Sequence, residues 1–312
     1  MKCQKVSETK NDIVNNTVDG TVKNTDRIAV SVIVAFYKGN QYMERLFNSI
    51  IKVAEGMKDK ATFEVILVND SPGIEIELAN MVQQLEEFGG CVKILKNDHN
   101  SGIQQTRVNG INGASGEWIL ILDQDDELVV DGFKSQLELT RSADVVVSNG
   151  LYQYGDQMKP IYKSQKAMNY LIQKERFIRI RNLIPSPGEC LIRKTVVPLT
   201  WMESPLKCNG ADDWLLWILL FQEGRRFACN DQIVYIHNDV GGQNLSLDLE
   251  KMHRSAIEMC KVLKEKLGAV EWRRLRRTVE FKYLQDTGRL GVIGWWKYRR
   301  CVLDNMFYKV RS

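Results

Sequence analysis

WILILDQDDEL, Trp118–Leu128, is an apolar run that breaks into four carboxylates, Asp123, Asp125, Asp126 and Glu127, within five positions. At an effective dielectric near 20, two unit charges about 4 Å apart repel by roughly 4 kcal/mol, so like charge gathered at the end of a buried-looking strand calls for a cation. Hard divalent ions such as Mg²⁺ or Mn²⁺ take oxygen ligands, and Mg²⁺ commonly uses one or two carboxylates together with substrate phosphates. Asp123 and Asp125, spaced i and i+2, are suited to hold such an ion against a diphosphate. The plainer reading is an acidic turn into a helix near Asp131. On either reading Asp126 and Glu127 are expected to start that helix, where acids suit its dipole.

Working outward, the same kind of apolar run recurs. AVSVIVAF (Ala29–Phe36), FEVILVND (Phe63–Asp70), VKILKND (Val92–Asp98) and DVVVSN (from Asp144) flank helix-like segments at Tyr42–Val53, Ile76–Phe88 and Ile103–Ala114. Strands buried on both faces and alternating with helices predict an α/β fold with a mostly parallel central sheet flanked by helices. In such sheets ligands sit at the carboxyl ends of the strands. Those ends carry Phe36-Tyr37, Asn69-Asp70, Asn97-Asp98 and Asp123-Gln124-Asp125, which places the site. Past residue 150 the rhythm weakens. YKSQKAMNYLIQKERFIRIRN (162–182) reads as helical, PSPGE as a loop, CLIRK and QIVYIHN as strands, and Asp212–Glu223 as a helix whose Leu215, Leu216, Leu219 and Leu220 belong to the core.

Three segments follow. Residues 1–27, polar and without periodicity, read as a disordered leader; 28–245 as the catalytic domain, split near 128; and 246–312 as a helical, basic, aromatic extension. From Glu271 to the end there are 11 Lys/Arg against 4 Asp/Glu, a net of +7, whereas the other residues carry 32 against 35, a net of −3. An overall charge of +4 is too small to argue for nucleic acid. Seven scattered cysteines without a CxxC pair favour reduced thiols. The start of the chain lacks the apolar core of a secretory signal, and its longest apolar run, Trp214–Phe221, is under half a membrane span.

The order VSVIVAFYKGN, EVILVNDS, NDHNSGIQQTRVNGINGASGEWILILDQDD resembles family 2 glycosyltransferases, with Asn100, Gly102, Arg107, Asn109, Gly110, Ala114 and Gly116 at the family's spaced positions. GADDWLLWILLFQEG is similar to the family's E-D-x-x-L segment and YIHN to its Y-R-x-H stretch, so the resemblance spans residues 28 to 240. The chain departs from the family at Ala35 and Lys38, where Pro and Asn are usual, at Asn69 in place of the first of two acids, and at Asp212 in place of Glu.

The resemblance implies a GT-A fold and an inverting, metal-assisted transfer of one sugar from a nucleotide-diphospho-sugar, a UDP-sugar, to a hydroxyl of a glycan or lipid-linked acceptor, in bacterial surface polysaccharide synthesis. It implies that 28–128 binds the nucleotide-sugar and 129–245 the acceptor. Ala35, Phe36, Tyr37, Asp70 and Gly102 would line the nucleoside pocket with Arg107 nearby, and Asp123 and Gln124 would approach the ribose. Asp123 and Asp125 would hold Mn²⁺ or Mg²⁺, and His237 would either complete that metal sphere or serve as a structural hydrogen bonder. Asp213 would be the general base, with Asp212 orienting the acceptor or capping the helix; the two point about 100° apart on a helix.

A nucleotidyltransferase would carry a Gly-rich basic loop after the first strand, a nicotinamide enzyme G-x-G-x-x-G and a P-loop enzyme G-x-x-x-x-G-K-S/T; none is present. A non-catalytic nucleotide-sugar-binding protein is expected to lack Asp125 or Asp213. In the extension, Val292, Trp295, Trp296, Val302, Leu303, Met306 and Phe307 fall on one helical stripe beside Lys297, Arg299 and Arg300, which suits docking on an anionic membrane as well as packing on the catalytic domain. Together these lead to the expectation of a cytoplasmic protein, at the inner face of the cell membrane if the extension docks there.

Overall fold

The computed structural model describes residues 27–239 and 248–311, so the expected leader and the boundary near 245 lie outside the described residues. The apolar runs form strands because β-branched and large apolar side chains fill both faces of a sheet. Strands β1 (Ile28–Phe36), β2 (Ala61–Asn69), β3 (Cys91–Lys96) and β4 (Trp118–Asp123) pair in parallel in the order β3-β2-β1-β4. Ala35 lies opposite Asp123 and Phe36 opposite Asn69, so the three central strands end at one level.

Alternate residues of β1 face different cores. Val30, Val32, Val34 and Phe36 pack toward α1 (Asn40–Met57) and α2 (Met81–Glu87), while Ile33 faces α3 (Ile103–Gly113). Gly110 lets α3 press on the sheet, since a Cβ there would stand 2.4 Å from Ile33 Cγ2. The segment before α2 is loop, so its helix is shorter than the sequence pattern suggested.

Beyond β4 the sheet is mixed rather than parallel. The short β5 (Glu127–Leu128) and α4 (Val130–Leu139) lead to β6 (Val145–Tyr154), which turns into β7 (Gln157–Pro160). The strand beside β4 is β8 (Cys190–Arg193), antiparallel to both β4 and β6, and β9 (Phe227–Asn238) runs parallel to β6 and antiparallel to β5. The expected helix over 162–182 is two short ones, α5 (Gln165–Met168) and α6 (Lys174–Arg179), separated by a turn. Met168, Leu171, Phe177 and Ile178 are buried there, so tertiary packing sets the path.

After α7 (Leu199–Glu203), α8 (Asp212–Gln222) buries Trp214 through Leu220 without interruption, an all-round apolar helix in the centre of the second core. Helix α9 (Leu249–Val262) packs on α8, and α10 (Ala269–Asp286) on α9 and α6. The extension ends in two helices rather than one continuous stripe: α11 (Gly291–Lys297) and α12 (Arg299–Arg311). Val302, counted in that stripe, is buried against α10. Among the described residues no helix is long and apolar enough to cross a membrane, and Cys91, Cys190, Cys208, Cys229, Cys260 and Cys301 are free thiols.

Candidate active site

The level ends of β1, β2 and β4 put the polar termini of three strands side by side. Past β1 the chain turns sharply, with Lys38 at φ 51, a left-handed value rare for a side-chain-bearing residue. Its N–H donates to Ser71 Oγ at 3.2 Å. Tyr37 N–H donates to Gln124 Oε1 (2.9 Å), and Gln124 Nε2 donates back to the Tyr37 carbonyl (3.1 Å). Gln124 thus straps the β1 turn to the acidic end of β4 and leaves the Tyr37 ring exposed. Gly39 makes room for this strap, because a Cβ there would fall 2.1 Å from Gln124 Oε1 and displace the amide. Ala35 is partly exposed at this edge, whereas the Phe36 side chain is wholly in the core. Phe36 therefore meets the site only through backbone, its carbonyl accepting from Asp70 N–H (2.8 Å).

Asp70 was expected to meet ribose or base. In the structure it is buried and its oxygens are engaged by protein: Asn97 Nδ2 (2.8 Å) and Ser101 N–H (2.7 Å) donate to one, and Gly102 N–H (3.2 Å) to the other. It ties the end of β2 to the loop that opens α3. Gly102, at φ 82, makes that turn, and Asn209 Oδ1 accepts from the next residue, Ile103 N–H, at 3.2 Å.

One residue on α3 joins the two halves of the site. Arg107 is 4% exposed; its Nη2 donates to Asp123 Oδ1 (2.5 Å) and its Nη1 to Asp212 Oδ2 (2.7 Å). Burial opposes the charge on Arg107, but Asp123 and Asp212 more than restore it. The bridge fixes the first turn of α8 against the end of β4. It also divides the work of the two acids on that turn: Asp212 is buried on Arg107, and Asp213 points elsewhere, partly exposed. Asp213 Oδ2 accepts from Asn182 Nδ2 (2.8 Å) and Oδ1 from Trp214 N–H (2.7 Å). Desolvation and then the neighbouring Asp212 push the Asp213 carboxyl up to about 8, against the pull of Arg107.

The remaining acids do not start a helix. Asp126 is buried and faces β9, accepting from the Tyr235 hydroxyl and from Asn238 N–H (3.0 Å), with His237 Nδ1 at 3.3 Å. Glu127 lies in β5, accepts from Asn238 Nδ2 (3.2 Å) and pairs with Arg45 (3.4 Å). These long-range partners, invisible to local pattern, pin the acidic turn to β9. Burial lowers the His237 proton affinity, but its bond to Asp126 and the charges of Asp126, Asp123 and Asp125 outweigh it and raise His237 to about 9. Its Nδ1 is turned to Asp126 and to the Tyr235 hydroxyl (3.1 Å), which leaves Nε2 as the nitrogen for any ligand.

Among the described residues no three His, Cys, Asp or Glu side chains converge as a ready metal cage. The carboxylates are nonetheless short of counter-charge: burial first, then Asp126 and Asp123, raise Asp125 to about 7. Arg107 neutralises one side of Asp123 only. Such a set suits a cation whose other ligands arrive with a bound diphosphate.

Asn182 and Arg45 escaped the sequence reading, and Tyr235 and Asn238 stood in its YIHN stretch without a role. Asn182 lies 31 positions from its partner Asp213, and Arg45 reaches the Asp125 carbonyl across 80 (2.6 Å), so only the fold brings them in.

The model of "Glycosyl transferase family 2" matches residues 31–198, more than half of the chain. The chain belongs to this family. Among curated family relatives, glycosyltransferase GlyG of Streptococcus pneumoniae serotype 4 is 27% identical over 159 residues, 49% of each chain. The chain spans less than two thirds of the length of the curated relatives it matches. Among solved structures, S. aureus TarS 1–349 in complex with UDP-GlcNAc superposes with a TM-score of 0.54 at 17% identity, covering 90% of this chain and 89% of that one. Mannosyltransferase PcManGT from Pyrobaculum calidifontis, in complex with GDP-Man and Mn²⁺, gives 0.54 at 13% identity over 93% and 77%. At these identities the likeness establishes the GT-A fold of this family 2 member.

Proposed function

We propose that the chain transfers one sugar from a UDP-sugar to a hydroxyl of a glycan or lipid-linked acceptor, with inversion, in bacterial surface polysaccharide synthesis. The observation that carries this reading is the Arg107 bridge, which ties a donor-side acid, Asp123, to Asp212 on α8 and leaves the adjacent Asp213 outside the ion pair. The nucleoside would lie over Tyr37 and the Gln124 strap, its diphosphate toward Asp123 and Asp125. Asp213 takes the proton from the acceptor hydroxyl as that oxygen bonds to the anomeric carbon. The bond from that carbon to the diphosphate oxygen breaks, and the nucleoside diphosphate leaves with the electron pair. A proton affinity near 8 suits a base that works around neutral pH and above.

Asp123, Asp125 and His237 Nε2 would hold Mn²⁺ or Mg²⁺, which supplies neutralisation of the diphosphate and of the leaving group. Because His237 is held protonated by Asp126, ligation by it would release a proton. The donors bound to TarS and PcManGT, UDP-GlcNAc and GDP-Man, and the Mn²⁺ of the latter support the donor class and the ion. We place the enzyme at the cytoplasmic face of the cell membrane, near a lipid-linked acceptor.

The test is thermal shift and donor hydrolysis with UDP-, GDP- and TDP-sugars in Mn²⁺. A UDP-sugar should stabilise the protein, and EDTA and Asp125→Ala should each abolish that response. No response to any donor overturns the reading, and donor binding indifferent to both treatments overturns the metal's part in it.

A further inference from the structure

We infer that α11 and α12 form a surface that docks on an anionic lipid bilayer, and that α10 holds it in position. The inner side of this helix pair is occupied. Tyr298, Cys301 and Val302 are buried with Phe281 and Leu290. Asp304 is turned inward to Arg274, with Arg179 of α6 at 3.6 Å. The outer side is different. Ile293 is 86% exposed, Trp296 72% and Met306 56%, and Val292, Trp295 and Leu303 are exposed with them. Arg299, Leu303 and Met306 stand at i, i+4 and i+7, so cation and apolar side chains share one face of α12.

The charge on that face has one sign. The acid of α12, Asp304, is spent inward, while among the described residues Arg299 and Arg300 have no carboxylate within ion-pair reach. Lys297 and Arg289 lie at the edges, each with a single exposed glutamate partner, Glu280 and Glu250. Tryptophans beside arginines without a carboxylate partner match the headgroup level of an anionic membrane, where the cations meet lipid phosphates. The inference rests on the transfer reading only for its purpose, which is to bring the enzyme to a lipid-linked acceptor.

The test needs neither donor nor acceptor, so its outcome is separate from that of the donor screen. Full-length protein is pelleted with phosphatidylcholine vesicles, with and without phosphatidylglycerol, across a salt series. Binding to the phosphatidylglycerol vesicles at low salt, released as salt rises, is expected. Ile293→Ser with Trp296→Ser should weaken it by about tenfold or more, given the apolar area withdrawn. Arg299→Glu with Arg300→Glu should weaken it by about 25-fold or more, at about fivefold for each cation removed, and erase the preference for anionic lipid. All four side chains are exposed, so thermal unfolding should be unchanged and confirms that the variants fold. No binding at low salt overturns the inference, as does binding undiminished in the Ile293/Trp296 variant. A lipid-free dimer that this same variant dissolves assigns the face to a second copy and overturns it equally.

Discussion

At the scale of single residues, Arg107 decides the site because it is one charge serving two acids in a place where water does not. Replacing it by Lys keeps the charge but not the two-pronged geometry. One buried carboxylate is then left without its partner, and breaking such a pair costs about 3–5 kcal/mol. Arg107→Lys should therefore lower the melting temperature and cut turnover, measured by thermal unfolding and sugar transfer. The base predicts a different pattern. Asp213→Asn keeps shape and hydrogen bonding but loses basicity, so turnover should fall roughly 10²–10⁴-fold while donor binding survives. Asp212→Asn should cost less turnover, and the reverse ranking would make Asp212 the base. Asn182 tests the same carboxyl without removing it. Its amide donates to the charged form of Asp213, so Asn182→Ala should push that proton affinity higher still. The acid limb of the rate profile, where activity rises as Asp213 loses its proton, should then move to higher pH.

At the scale of elements, α8 carries the proposed base, and its rigidity comes from burial on every side. Leu216 is 1% exposed, and Leu216→Ala should cost about 2–5 kcal/mol by the cavity it leaves, read by denaturant unfolding. Elements of this kind were legible in the sequence because an unbroken apolar run has few places to go: β1, β2, β4 and α8 lie where their patterns put them. The acids at their ends were legible for the same reason, since strand termini of a parallel sheet share a level. What local pattern could not supply was who answers those acids. Asp126 looked like a helix start until β9 brought the Tyr235 hydroxyl to it from 109 positions away. The resemblance puts Phe36 in the nucleoside pocket, but alternation along β1 turns its side chain into the core. The mixed half of the sheet was equally illegible, because β8 enters between β4 and β6 from far downstream and reverses direction there. In the extension, a stripe read as one helix broke at Tyr298, whose ring is drawn into the cluster under α10.

At the scale of the whole molecule, stability should fall as pH rises, and one residue outside the proposed chemistry reports it. Glu189, in the short turn before β8, is fully buried; its Oε2 accepts from the Tyr162 hydroxyl (2.7 Å), and among the described residues Oε1 has no side-chain hydrogen-bond partner. Burial, only partly offset by that hydroxyl, pushes its carboxyl up to about 8 from an ordinary 4.5. Between these limits the folded chain keeps the proton and the unfolded chain has lost it. The unfolded state therefore binds fewer protons, and the free energy of unfolding decreases with pH across that window. Below it the group is neutral in both states and contributes nothing to the slope; above it the folded protein bears the full cost of a buried charge. Each unit between the two proton affinities is worth about 1.4 kcal/mol. Glu189→Gln replaces the neutral acid by a neutral amide of the same shape, so it should change little near pH 5 and raise the melting temperature near pH 9. For a chain of this length a gain of about 2 kcal/mol corresponds to roughly 3 °C. His237 contributes with the same sign, since a histidine raised to about 9 stabilises the fold below its unfolded value and loses that as pH climbs through 9. The wild-type slope should therefore persist in weakened form in Glu189→Gln. Melting curves of both proteins from pH 5 to pH 9 decide the matter: identical slopes would mean that Glu189 is ionised in the folded state and finds its counter-charge there.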